Sequence, residues 1–157
     1  MSLAKLADVC SSIQNASMAR KPLTSILNSK SHLGVALGLY RHGVIDQVQL
    51  GNVKGPAISE TQIAETIVSQ RRIWLSLKYH NGQPLISKFR LVSKPGKSFS
   101  LTKLEIEQLI RGHRTRQVAP ILPGDLLFLS TDKGILECRE ALNIGRGGVP
   151  LCRVQAA

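Results

Sequence analysis

Residues 73–92 read IWLSLKYHNGQPLISKFRLV, and this stretch decides the fold class. Ile73, Leu75, Leu77 and Tyr79 alternate with Trp74, Ser76, Lys78 and His80, the two-residue period of a strand with one buried face. Asn81-Gly82 supplies two residues that tolerate positive φ, as a type I′ turn requires, so the chain is expected to reverse there as a β-hairpin. The returning strand, Pro84 to Val92, is expected to set Leu85, Ser87, Phe89 and Leu91 on one side, with Lys88 and Arg90 on the other.

Helical periods flank this hairpin. Leu3, Leu6, Ala7, Cys10 and Ile13 recur at three- and four-residue spacing behind Ser2, a good N-cap. Pro22 to Leu27 reads as β-compatible. A second helix, capped by Ser29 or Ser31, is expected to carry Leu33, Ala36, Leu37 and Tyr40 as its apolar stripe and to end at Gly43. A strand follows, with Val44, Asp46, Val48 and Leu50 alternating against Ile45, Gln47 and Gln49. Gly51 to Gln70 reads as a surface insertion with a short helix between Glu60 and Ser69.

Downstream, Thr102 and Glu105 have the spacing of a capping box, and Leu101 with Ile106 that of a hydrophobic staple, opening a helix through Ile110. Leu126 to Ser130 and Ile135 to Cys138 read as strands joined by the turn chemistry of Asp132-Lys133-Gly134. A helical turn, Arg139 to Ile144, stops at Gly145, and Val149 to Val154 is the closing strand. The expected fold is α+β: two small modules, each with helix packed on a short mixed or antiparallel sheet. The N-terminal module spans 1–93 and contains the 51–70 insertion, and the C-terminal module spans 94–157.

Charge narrows the function. The chain carries 21 Lys and Arg against 10 Asp and Glu, a net +11, and such self-repulsion favours a polyanionic partner. No acidic residue lies between Glu65 and Glu105, an interval that holds Arg71, Arg72, Lys78, Lys88, Arg90, Lys94, Lys97 and Lys103. These cations are interleaved with strand-like apolar residues, which describes a folded basic face suited to nucleic acid rather than lipid. No apolar run is long enough to span a membrane, and the N-terminus lacks the apolar core of a secretory signal.

Enzyme signatures are missing from the sequence. His32, His42, His80 and His113 form no zinc-type spacing, there is no CxxC, and neither a GxSxG elbow nor a Walker lysine occurs. No metal or cofactor is expected. Cys10, Cys138 and Cys152 sit among apolar neighbours, as buried thiols of a reducing compartment do. A cysteine enzyme using Cys138 or Cys152 is the rival from another class, since a nucleophilic thiol paired with a distant His has no sequence signature. A free regulatory RNA- or DNA-binding module is the other rival.

Three segments have the chemistry to hold RNA. Ser130-Thr131-Asp132-Lys133-Gly134 offers hydroxyls on a tight turn, a cation, and a glycine that lets backbone come close. Gly145-Arg146-Gly147-Gly148 offers successive backbone N–H groups beside Arg146, a possible phosphate cradle or simply a flexible connector. Ser93-Lys94-Pro95-Gly96-Lys97 is a rigid turn flanked by two cations.

In order and spacing these pieces resemble the universal small-subunit ribosomal protein eight family along nearly the whole chain. Leu6-Ala7-Asp8, Ile13-Gln14-Asn15, and Ser29-Lys30 before a helix ending at Gly43 begin the resemblance. Leu75 to Tyr79 continues it, followed by Arg90-Leu91-Val92-Ser93-Lys94-Pro95-Gly96, which is similar to the family's RVSRPG turn. Ser130 to Gly134 resembles the STSKG loop, and Gly145 to Cys152 the GLGGEIIC close. The resemblance implies a ribosomal, non-enzymatic protein that binds a helix of the central domain of small-subunit RNA, beside other small-subunit proteins and without homo-oligomerising. It implies RNA contact at Ser130, Thr131, Lys133 and Gly134; the chemistry of the other segments adds Arg146, Gly147 and Gly148, Lys94, Pro95, Gly96 and Lys97, with Ser29 and Lys30, to the expected RNA-binding residues.

Four departures stand out. Asp132 replaces a serine, Val149-Pro150 replaces Glu-Ile, Ser12 and Gln14 stand where bacterial members carry arginines, and the 51–70 insertion is foreign to them. Together they resemble the mitochondrial branch, which implies a matrix protein imported without a long removable presequence.

Overall fold

The computed structural model describes residues 2–157. Helix α1 (Leu3–Met18) starts where the Ser2 side chain accepts the Lys5 N–H. Strand β1 (Leu23–Leu27) leads into α2 (Lys30–Arg41), whose N-cap is Ser29, and Gly43 with φ +72° turns the chain into β2 (Ile45–Gly51). The insertion holds α3 (Glu60–Glu65) and a single 3-10 turn (Val68–Gln70). Then come β3 (Arg72–Leu77), β4 (Tyr79–His80), β5 (Gln83–Pro84) and β6 (Ile86–Leu91). Helix α4 (Lys103–Ile110), β7 (Leu126–Thr131), β8 (Gly134–Glu137), α5 (Cys138–Ile144) and β9 (Val149–Ala156) complete the chain. The fold is α+β.

The hairpin expected over 73–92 is realised only at its tip. Asn81 and Gly82 do take positive φ (50° and 74°), and Tyr79–His80 pairs with Gln83–Pro84. Beyond that ribbon the two strands part. β3 is the middle strand of a three-stranded sheet, order β1-β3-β2, while β6 is an edge strand of a four-stranded sheet, order β6-β9-β7-β8. Every pairing is antiparallel. Alternation reports which face of a strand is buried and not which strand lies beside it, so the partner switch has no local signature. Facing also differs from expectation, because a bulge between Ile86 and Lys88 turns Ile86 and Phe89 inward and leaves Ser87 exposed. A second bulge, between Ile45 and Gln47, breaks the alternation expected of β2.

Helix α1 ties the two sheets together. Gln14 donates its amide to the Ser87 carbonyl (3.2 Å) and accepts the Phe89 N–H (2.6 Å), while the buried Ser17 hydroxyl donates to the Ile86 carbonyl (3.2 Å). The Gln14 amide thus serves the bulged edge of β6, where the chain has no strand neighbour. One core runs through both sheets, from Leu6, Cys10 and Ile13 of α1 to Leu39, Ile73, Leu75, Phe89, Phe128 and Cys152. A second core, with Leu101, Ile106, Leu109, Leu127, Leu129, Cys138 and Ala141, lies on the other side of β7. That explains the unbroken Leu126-Leu127-Phe128-Leu129 run: β7 is covered on both faces.

Helix α2 buries His32, Val35, Ala36 and Leu39, whereas Leu37 and Tyr40 are exposed, which corrects the expected stripe. Gly34 and Gly38 are the cause. A Cβ at Gly34 would lie 3.0 Å from Ile135, and one at Gly38 would press on the Phe128 ring, so α2 approaches β8 and β7 along its glycine side.

Candidate nucleic-acid interface

The segments singled out in the sequence are distant along the chain, yet strand direction gathers them at one end of the molecule. β6 and β7 both run antiparallel to the β9 strand between them, so their C-terminal ends lie together beside the start of β9. Ser93–Lys97 follows β6, Asp132–Lys133 joins β7 to β8, and Gly145–Gly148 precedes β9. All three loops therefore share an edge. The packing of α2 adds a fourth element. Gly34 lies against Ile135 and Gly38 against Phe128, while at the far end of α2 His42 approaches Glu140 (3.6 Å). Stepping back from Gly34 brings the helix start, with Ser29 and Lys30, to the loop end of β8.

Local chemistry fixes each element. The Ser29 hydroxyl accepts the His32 N–H (3.1 Å), and the buried His32 ring donates through Nδ1 to the Leu27 carbonyl (2.9 Å), which holds the β1–α2 junction and leaves Lys30 exposed. In the β7–β8 turn the Thr131 hydroxyl donates to the Gly134 carbonyl (2.8 Å) and accepts the Lys133 N–H (3.2 Å). Gly134 sits at φ +105°, a conformation that disfavours any side chain. Thr131 and Gly134 shape the turn, while Lys133 points into solvent. Lys97 N–H donates to the Lys94 carbonyl (3.0 Å), closing a tight turn in which Lys94, Pro95, Gly96 and Lys97 are all exposed and Ser93 is buried.

Three of the four N–H groups of 145–148 are bonded within the fold. Gly145 takes a left-handed φ of 79° to stop α5, and the N–H groups of Gly145, Arg146 and Gly148 donate to Leu142, Ala141 and Leu101. A Cβ on Gly147 would strike the Leu101 carbonyl, and one on Gly148 would strike that of Ser130. These glycines let three backbones lie unusually close. Leu101 and Gly148 exchange both hydrogen bonds (2.8 and 3.1 Å), which brings the start of α4 to the same end.

Asp132 also has a definite place. Its carboxylate lies 3.5 Å from the Arg146 guanidinium, so the acid that departs from the family loop is matched by a cation and links the 130–134 and 145–148 loops. Lys103, counted in the sequence among the cations of the basic face but not among the RNA-contact segments, has its Nζ 3.8 Å from where a Gly145 Cβ would be. A signal was available: Lys103 occupies the first turn of α4, where the helix dipole disfavours a cation. Glu105, whose carboxylate is held below its ordinary range by the Thr102 backbone N–H, is paired with Arg116 (2.7 Å) and adds no free negative charge. The outcome is a polar end carrying Lys30, Lys94, Lys97, Lys103, Lys133 and Arg146 on several rigidly held elements.

Nucleophilic chemistry finds no support. All three thiols are buried. Burial, and then the Glu137 carboxylate that accepts the Cys138 thiol (2.9 Å), push Cys138 far above the ordinary thiol range. Contact with the Cys10 sulfur, together with burial, pushes Cys152 up as well. Among the described residues no cluster of three or more His, Cys, Asp or Glu could hold a metal, and no helix is long and apolar enough to cross a membrane.

Comparison with known proteins identifies the family. The family described as Ribosomal protein S8 matches residues 4–155. Small ribosomal subunit protein uS8m of Neurospora crassa is 33% identical over 161 residues, covering 99% of this chain and 100% of that protein. The uS8m protein of Schizosaccharomyces pombe is 35% identical over 147 residues, covering 94% and 97%. Small ribosomal subunit protein uS8 of Pseudomonas aeruginosa is 30% identical over 151 residues, 95% of each chain. With residues 4–155 matched by the family model and relatives 33–35% identical over nearly its entire length, this chain belongs to the ribosomal protein S8 family, whose members are structural proteins of the small ribosomal subunit and not enzymes.

Proposed function

We propose that the chain works in the matrix of the mitochondrion, where it clamps small-subunit ribosomal RNA in its central domain and holds it in place beside neighbouring small-subunit proteins. The observation that carries this reading is the convergence of four separate elements on one cationic end. An A-form helix offers phosphates and a wide minor groove lined with 2′-hydroxyls, and its deep major groove is closed to side chains. A rigid end with cations at its rim and the Ser130 hydroxyl and Gly134 backbone at its centre suits that surface. In this reading Lys30, Lys94, Lys97, Lys133 and Arg146 meet phosphates. Ser130 and Gly134 approach sugar edges, and Ser29, Thr131, Pro95, Gly96, Gly147 and Gly148 hold the backbones that present them. The C-terminal module, 94–157, makes most of the contacts, and the N-terminal module, 1–93, contributes Ser29 and Lys30.

The mitochondrial relatives support the location, as do the departures from bacterial sequences. Gln14 is one such departure, and here its amide is committed to β6. The test is direct binding to a structured transcript of the small-subunit central domain. Replacing Ser130 and Lys133 together by Ala removes one hydroxyl contact and one charge-assisted contact, worth about 10- to 100-fold in affinity. Lys21→Ala, at the opposite end of the first sheet, should stay within about twofold by the same reasoning. Equal losses for the two variants would reduce the interaction to diffuse attraction. In cells the chain should co-sediment with mitochondrial small subunits after a moderate salt wash.

A further inference from the structure

The insertion between β2 and β3 has the opposite character to the cationic end. Its base is firmly built. Asn52 Oδ1 accepts the N–H groups of Lys54 (2.9 Å) and Gly55 (3.1 Å), the Asn52 carbonyl accepts the Trp74 indole N–H (2.9 Å), and Gly51 bridges to Pro56. Above that base, four aliphatic side chains are left largely uncovered by the described residues. Ile58 is 93% exposed, Val68 71%, Ile67 65% and Val53 57%, and α3 buries no residue at all. A groove of about 540 Å³ runs between Val53, Lys54, Glu65, Thr66 and Ile67. Isolated exposed aliphatics need no explanation, but four on one short ordered segment do.

The charges of the segment indicate what covers them. Each acidic residue from Glu105 onward lies within 4.0 Å of a cation or a histidine: Glu105, Glu107, Asp125, Asp132, Glu137 and Glu140. The other four acids, Asp8, Asp46, Glu60 and Glu65, are in no such pair among the described residues, and of these Glu60 and Glu65, both exposed, stand on the same segment as the uncovered aliphatics. RNA does not suit this surface. The surface carries two carboxylates, which repel phosphate, against one lysine, Lys54, and its exposed apolar side chains are aliphatic, with no aromatic face to stack a base, since the Trp74 indole is tied to the insertion base.

We infer that the 51–70 insertion is a docking surface for a basic, apolar-bearing segment of a neighbouring small-subunit protein. Aliphatic side chains of that segment lie against Val53, Ile58, Ile67 and Val68, and its Lys or Arg side chains meet Glu60 and Glu65. Because Leu27, Arg72 and Gly51 share one level of the first sheet, the insertion leaves that sheet at the end where α2 begins, so the partner sits beside the RNA and not behind it. The inference rests on the ribosomal reading above.

The experiment places a photo-crosslinking amino acid at Ile58 or at Ile67 of the full chain and purifies native small subunits containing it. Both positions should crosslink to the same neighbouring protein, within a peptide of net positive charge that carries aliphatic residues. Crosslinks to RNA, to a second copy of this chain, or to no macromolecule overturn the inference. Because α3 buries nothing, E60K combined with E65K leaves the fold intact. This variant should lower retention of the crosslinked neighbour in salt-washed subunits at least tenfold, while the chain itself still co-sediments and binds the central-domain transcript within twofold of the parent. Unchanged retention refutes the charge complementarity. A chain that fails to enter small subunits at all refutes the ribosomal reading, an outcome distinct from one that enters and crosslinks only to RNA.

Discussion

Replacing Gly148 by Ala tests whether close backbone contact assembles the cationic end. The new Cβ would strike the Ser130 carbonyl and lie 2.9 Å from the Ser130 carbonyl carbon and 3.1 Å from Thr131 Cγ2. Backbone cannot yield as a flexible side chain does, so β9 and the β7–β8 turn must separate. The pair of hydrogen bonds between Leu101 and Gly148 (2.8 and 3.1 Å) is then stretched or lost. At about 1 kcal/mol each, these represent about 2 kcal/mol of stability. For a chain of this length that lowers Tm by roughly 4–8 °C. The shift also moves Ser130 and Lys133 relative to Arg146, and affinity for the central-domain transcript should fall about tenfold, since misplaced polar contacts are lost while their desolvation cost remains. Thermal unfolding and equilibrium binding of one preparation give both numbers. Ile73→Val, in the middle of the first sheet, is the control: it costs about 1 kcal/mol and leaves RNA affinity unchanged. A Gly148→Ala protein with unchanged Tm would deny the close approach. One that loses stability but binds RNA as before would show that the two loops are not parts of one site.

Other consequences follow from the same geometry. The Thr102 N–H holds the Glu105 carboxylate below its ordinary value of 4.5, so the cap stabilises fully above that pH and its contribution disappears as pH falls through the lowered folded value. Glu105→Ala should cost about 0.5–1 kcal/mol in urea unfolding at pH 7 and progressively less below about pH 4. A cost that is constant with pH would mean that the carboxylate charge plays no part. Cys10, Cys138 and Cys152 should resist an aromatic disulfide reagent at pH 8 in the native protein and react fully in guanidinium. One fast native thiol would reopen the case for cysteine chemistry.

What could be read in the sequence was local. The Ser2 and Ser29 caps, the Thr102–Glu105 capping box, the Gly145 stop and the Asn81-Gly82 turn each depend on residues a few positions apart, and all formed. The partner of β3 was not legible, because alternation in 73–80 is the same whether the next strand is β6 or the pair β1 and β2. Nor was the face of α2, where Gly34 and Gly38 bury backbone that carries no apolar side chain to count. At the candidate interface the residues were visible but their convergence was not, since it depends on β9 lying between β6 and β7. The glycines of 145–148 look alike as a string. Only their neighbours reveal that Gly147 and Gly148 serve close packing, and that Arg146 answers Asp132.

The most direct test of the account is the salt dependence of binding to the central-domain transcript, measured for the parent and for two triple variants. Lys94, Lys97 and Lys133 lie at the convergent end, and Arg20, Lys21 and Lys78 lie toward the opposite end of the first sheet. Replacing the first three by Ala should flatten the slope of log K against log salt by about 2–3, as expected when three phosphate contacts no longer release counterions, while replacing the second three should leave it unchanged. Equal flattening by both variants would mean that RNA is attracted to net charge alone and that the assembled end has no special part in binding.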